Sequence, residues 1–151
     1  MTDKDQALPT EGEGVIVGST ESFDDLPIVE IPEGIVGFPE LTKYVLVRLD
    51  DEGMVFDLRS IEDERIRFVV VPSMRFFPDY QPEIDDDFAA QYSIKDSSDA
   101  LVLLVVTLGA SMADCTANLM APIVLNPHKR IAAQIVLDNP EFSVRVPLSA
   151  A

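Results

Sequence analysis

The residues able to do covalent or acid–base chemistry are few and poorly placed for it. His128 is the sole histidine and Cys115 the sole cysteine. His128 stands beside Lys129 and Arg130 in what reads as a turn, with no Cys/His partner at the spacing a zinc site needs. No serine or cysteine sits in a nucleophile motif with that histidine. The run Asp85-Asp86-Asp87 has the charge to attract a divalent cation. It lacks the alternating oxygen ligands and the glycine of a calcium loop, so it reads as a solvated helix start. No glycine loop of the phosphate-cradling kind occurs. The expectation is a protein without enzymatic activity, metal or cofactor.

Binding is better served. Phe76-Phe77-Pro78-Asp79-Tyr80 carries three aromatic rings around a proline. An extended backbone sends neighbouring side chains to opposite sides, so at least one ring should be partly exposed. Exposed rings on a stiff loop are typical interface anchors, each worth roughly 1.5–3 kcal/mol when buried. An equal alternative has Phe76 and Tyr80 plugging a barrel while Phe77 caps an edge. Gly34-Ile35-Val36-Gly37-Phe38-Pro39 is expected to form a tight corner. Its glycines supply positive φ or close backbone approach, and the Phe38 ring plugs the core.

The sharpest signature is Thr116 to Asn126, which reads as an apolar strand carrying Asn118, Pro122 and Asn126. A buried amide must find partners, so Asn118 and Asn126 are expected to bind backbone and fix a register or a turn. That is packing and hydrogen-bonding chemistry, which suits holding a partner rather than converting a substrate.

The elements that must position these residues are mostly short strands. Pro27 to Ile31, Tyr44 to Leu49, Met54 to Arg59, Phe68 to Val71, Leu101 to Val106 and Ile131 to Leu137 are apolar segments separated by turn signals. Val15-Ile16-Val17 is a further one. Asp50-Asp51-Glu52-Gly53 reads as a hairpin turn, and Asn126-Pro127-His128-Lys129 as a turn joining an antiparallel pair. One stretch reads as helix: Ile84, Phe88 and Tyr92 fall at i, i+4 and i+8 behind an acidic first turn. A smaller turn is expected at Ser97-Ser98-Asp99. The fold class is therefore mostly β: a compact, barrel-like single domain over residues 14–151 with one or two short helices. Barrel closure removes exposed strand edges. Residues 1–13, acidic and Gly/Pro-punctuated, are expected to form a flexible tail.

At 151 residues and 47% hydrophobic, the chain can build one core. Its 11 Lys+Arg against 27 Asp+Glu leave a formal charge of −16. Such a surface repels phosphate backbones, so direct nucleic-acid binding is not expected. It speeds encounter with a basic partner, although solubility alone accounts for acidity equally well. A single cysteine forbids an intrachain disulfide, and the N-terminus has no apolar signal segment; no run is long enough to span a bilayer. The expected location is the cytoplasm. A small-molecule-binding barrel is the competing function. A dry, filled interior would speak against it. An oligonucleotide-binding barrel would have the aromatics but the wrong charge.

Taken together, Gly34 to Pro39, Phe76 to Tyr80, and Thr116 to Asn126 followed by Lys129, Arg130 and Gln134 resemble the FliW family of bacterial flagellar assembly factors. The resemblance covers about residues 15–148 and excludes the acidic tail; Met120 stands where other members often carry a polar residue. It implies a barrel-like fold without catalysis, expected to be a monomer when unbound. It implies two protein partners: flagellin, and the RNA-binding translational repressor CsrA. Residues expected at the partner surface are Phe77, Pro78, Asp79, Tyr80, Asp85, Asp86 and Asp87. The acids would steer CsrA, and Phe77 and Tyr80 would supply apolar contact.

Overall fold

The structure, a computed structural model, describes residues 27–96 and 99–148. The expected tail over residues 1–13, the Val15-Ile16-Val17 segment and the Ser97-Ser98 part of the expected turn lie outside the described residues.

Strands β1 (Ile28–Glu30), β2 (Lys43–Arg48), β3 (Phe56–Ser60) and β4 (Arg67–Pro72) form an antiparallel meander. The β2–β3 hairpin closes where the sequence places it. The Asp50 carboxylate accepts the Met54 and Val55 N–H groups at 2.9 and 3.0 Å, and Gly53 takes φ +70°. Two short helices follow, α1 (Ser73–Phe76) and α2 (Asp86–Gln91). Then come β5 (Leu101–Thr107), a 3-10 turn (Met112–Asp114), β6 (Thr116–Ala117), β7 (Ile123–Asn126), β8 (Ile131–Gln134) and β9 (Val146–Pro147). The sheet runs β4-β3-β2-β1-β8-β7-β5, and pairing of β4 with β5 at Val70↔Val105 returns it on itself. A closed barrel of seven strands results, with β6 and β9 attached beyond β5.

Cross-strand partners explain the inside. Leu46↔Leu58↔Phe68, Phe56↔Val70↔Val105 and Leu103↔Ile123 stack across neighbouring strands and face inward. Tyr44, Ile31, Leu58, Leu103 and Ile123, all at most 2% exposed, fill the interior. The barrel is filled by its own side chains, as small barrels are, which removes the support for an enclosed small-molecule site. The runs at 68–71 and 101–106 are apolar without alternation because a second cluster covers their outer face. Val71, Leu104 and Val106 pack there against Cys115, Ala117, Leu119 and Leu148.

One expectation is corrected. Thr116 to Asn126 is not a single strand. β6 pairs with β5 and β9, β7 pairs with β5 and β8, and the two are separated by a turn. Asn118 makes the break: its side-chain oxygen accepts the N–H groups of Met120 and Ala121 at 2.9 and 3.2 Å. Pro122 then removes a donor where a ladder would need one.

Candidate partner-binding site

The loop between α1 and α2 sits on the outside of the barrel. Phe76, Phe77 and Tyr80 are half-buried against the outer cluster and none enters the barrel, which overturns the alternative in which Phe76 and Tyr80 plug it. The reason is local. The Phe77 N–H bonds the Ser73 carbonyl at 2.7 Å and the Tyr80 N–H bonds the Phe77 carbonyl at 2.9 Å, curling the segment over β4 and β5. The Tyr80 hydroxyl donates to the Leu119 carbonyl at 2.6 Å, and its ring meets Phe142 edge-on at 5.0 Å. Burial pushes its phenol well above the ordinary tyrosine range. Tyr80 is thus committed to the fold on two sides. Pro78 and Asp79 are exposed, as is Met74, at 78%, which sequence reasoning did not single out.

From Tyr80 the chain passes to α2. Asp85 caps the helix, its carboxylate accepting the Phe88 N–H at 2.7 Å, and Asp86 and Asp87 occupy the first turn. All three acids are exposed. Phe88 and Tyr92 stack at 4.4 Å on the inner side. The helix's far end is tied down by Asn126, whose amide nitrogen donates to the Tyr92 and Ser93 carbonyls at 2.8 and 3.2 Å. The same side chain accepts the His128 and Lys129 N–H groups at 2.9 and 3.1 Å, forming the β7–β8 turn.

Between residues 81–86 and the segment 135–142 lies a groove of about 910 Å³. Ile84, Ile135, Val136, Leu137 and Phe142 give it apolar surface, and Glu83, Asp85, Asp86 and Asp138 rim it with carboxylates. Asp87 is not among its walls. The structure therefore brings two of the expected acids together with the irregular segment after β8, which the sequence did not mark as functional and which shortens the expected strand Ile131 to Leu137 to Ile131–Gln134. Nothing in the sequence alone announces that neighbour, because the juxtaposition depends on residues some fifty positions apart.

The Gly34–Pro39 corner lies at a separate place. Gly34 and Gly37 have φ +71° and +94°, and Phe38 packs edge-on against Phe68 at 5.9 Å. The Val36 N–H bonds the Gln134 side chain at 2.8 Å, which leans this corner onto β8. Also unforeseen is Asp57, only 1% exposed on the outer barrel face. Its carboxylate takes Arg59 at 3.1 Å and Arg67 at 3.3 Å. The alternation of Asp57 and Arg59 opposite Arg67 was the available signal. Among the described residues no group of acids, histidines or cysteines could hold a metal ion. No helix among them is long and apolar enough to cross a membrane.

The profile of the FliW protein family matches residues 17–148 of this chain. The chain is 35% identical over 126 residues to the flagellar assembly factor FliW of Clostridium kluyveri, covering 83% of this chain and 87% of that protein. The chain belongs to the FliW family. The flagellar assembly factor FliW of Clostridium novyi is 32% identical over 141 residues, covering 93% of this chain and 95% of its own. A crystal structure of the flagellar assembly factor FliW superposes with a TM-score of 0.75 at 33% identity, covering 87% and 91% of the two chains. The barrel described above is therefore the FliW fold, and the protein is a flagellar assembly factor of that kind.

Proposed function

We propose that this FliW protein binds flagellin in the cytoplasm before export and antagonises the translational repressor CsrA. The two complexes exclude one another. Unexported flagellin occupies FliW and leaves CsrA free to silence flagellin messenger RNA; once flagellin leaves, FliW captures CsrA and translation resumes. The protein acts by binding alone, as a monomer when unbound, and does not touch the RNA. The observation that supports this most is the acid-rimmed groove beside α2, on a chain of net charge −16. Carboxylates around apolar surface suit a basic RNA-binding protein, because opposite charge steers encounter while the apolar part supplies affinity. Pro78 and Asp79 extend the same exposed stretch, with Phe77 half-buried beneath it.

The test is a competition pull-down: this protein immobilised with CsrA, then challenged with flagellin. Release of CsrA in proportion to added flagellin is expected. Retention of both partners together would end the exclusion model, and capture of neither would end the functional proposal. Neutralising Asp85, Asp86 and Asp87 to asparagine should slow CsrA association and flatten its salt dependence. An unchanged association rate across salt concentrations would remove these acids from the interface.

A further inference from the structure

The barrel's one parallel seam leaves a strand edge open beside the groove. Among the described residues β1 pairs with β8 only at Glu30↔Ile131, and no other described strand pairs with the rest of β8 on that side. Past Gln134 the chain continues in register with its antiparallel neighbour. The Ile135 N–H bonds the Pro122 carbonyl at 2.9 Å and the Leu137 N–H bonds the Met120 carbonyl at 2.8 Å. In an antiparallel ladder, alternate residues direct their backbone groups to opposite sides. Val136 therefore turns its N–H and C=O outward, to the open edge, and among the described residues no acceptor meets that N–H. The pleat also divides the side chains. Ile135 and Leu137 share one face and Val136 the other with Gln134; all three residues line the groove with Glu83, Asp85 and Asp86, Leu137 buried and Val136 66% exposed. The Val36 N–H is bonded to the Gln134 side chain, which brings Val36, 68% exposed, beside the end of β8.

We infer that residues 135–138 are a strand-addition site for an extended polypeptide segment in which lysine or arginine alternates with apolar residues. Main-chain hydrogen bonds to Val136 provide the docking. One set of the incoming side chains lays its aliphatic stems over Ile135 and Leu137 and its charges against Glu83, Asp85 and Asp86. The alternate set packs on Val136 and Val36. The inference rests on the proposal that this protein works by holding protein partners, and it adds which backbone does the holding and what sequence pattern is held.

The probe is a labelled octapeptide alternating lysine and valine, with a glutamate–valine octapeptide as control. Amide hydrogen exchange is measured on the whole protein with each peptide. Expected is salt-sensitive binding of the lysine peptide only, with slowed exchange at Val136 and Asp138. Val136→Pro removes the outward N–H at an edge that tolerates proline, so it should weaken the lysine peptide about tenfold, the loss of one hydrogen bond to an already ordered edge. Binding of both peptides alike, or protection confined to residues 76–80, overturns the inference. So does a Val136→Pro protein with the wild-type melting curve that binds undiminished. If Val136→Pro does not fold, the exchange pattern of the unaltered protein decides alone. Failure of the proposed function is read separately, since the pull-down with CsrA and flagellin does not depend on the octapeptide.

Discussion

Replacing Asn126 by aspartate would change two atoms' chemistry and almost no volume, and the structure fixes what must follow. The side chain is 2% exposed and makes four hydrogen bonds. Its oxygen accepts from His128 and Lys129, which a carboxylate does equally well. Its nitrogen donates to the Tyr92 and Ser93 carbonyls, and a carboxylate would instead turn a charged oxygen towards both. Two lost bonds cost about 1–3 kcal/mol together. An uncompensated buried charge raises the total to about 3–5 kcal/mol at neutral pH. The group can escape by taking up a proton, after which its O–H donates to the Tyr92 carbonyl.

The folded-state pKa of the new carboxyl is thus raised above its unfolded value, and the sign follows. Its deficit is small below the unfolded pKa of about 3.9 and grows as pH rises through the folded pKa. The chain has no tryptophan, so urea unfolding is best followed by circular dichroism, for Asn126→Asp and wild type at matched pH from 4 to 8. The expected result is a variant that converges on wild type in acid and falls away towards neutrality. Since Asn126 anchors the end of α2, weakened partner binding should follow the same pH course. A variant within about 1 kcal/mol of wild type at neutral pH, or a deficit independent of pH, would refute this account of how α2 is held.

Three further outcomes are expected. Tyr80→Phe should cost about 1–2 kcal/mol by leaving the Leu119 carbonyl unpaired, with CsrA binding by the folded fraction unchanged; lost binding at unchanged stability would make the hydroxyl a partner contact. Burial raises the phenols of Tyr44, Tyr80 and Tyr92 above their ordinary value. Their stabilisation is complete below the unfolded pKa of about 10 and is lost as pH rises beyond it, so tyrosinate absorbance should appear together with unfolding rather than before it. Gly34→Ala should cost about 2–4 kcal/mol, since a methyl at that positive φ also meets the Phe38 carbonyl and Pro39. Gly37→Ala, with open space around it, should lose only about 1–2 kcal/mol, and equal melting temperatures for the two would contradict the packing at the corner.

Features set by local chemistry were legible in the sequence. Asp50 and Gly53 make a hairpin turn in any context that lets Asp50 reach its own loop. The stripe Ile84, Phe88, Tyr92 behind three acids makes a helix, although the structure shortens it to Asp86–Gln91. The two asparagines bind backbone as their types require. What escaped depended on partners far along the chain. Apolar character from Thr116 to Asn126 is uniform because both sides of the break are buried, by the outer cluster at Ala117 and Leu119 and by the barrel at Ile123 and Leu125. Hydropathy therefore gave no sign that the strand breaks, and only the amide of Asn118, expected to fix a register or a turn, pointed to it. The aromatic cluster at 76–80 was ambiguous for a related reason: the barrel interior and the outer layer attract phenyl rings equally, and only the curl of α1 decides between them.

That outer layer also bears on the proposed function. Seven strands close on a filled interior, so the inside offers no room and most edges are consumed by pairing. Among the described residues, the surfaces left for the proposed partners include the layer that α1, α2, β6 and β9 build on the outside and the stretch past Gln134 where the pairing of β1 with β8 ends. At the groove these two coincide. An acidic wall, apolar surface and an unpaired backbone edge converge at residues 135–138, just past β8, and each would be a liability on an isolated barrel. Like charges at the start of α2 repel, exposed Val136 invites aggregation, and an unpaired edge recruits strands. Their concentration in one place is what a surface kept for an opposite-charged, extended partner would require.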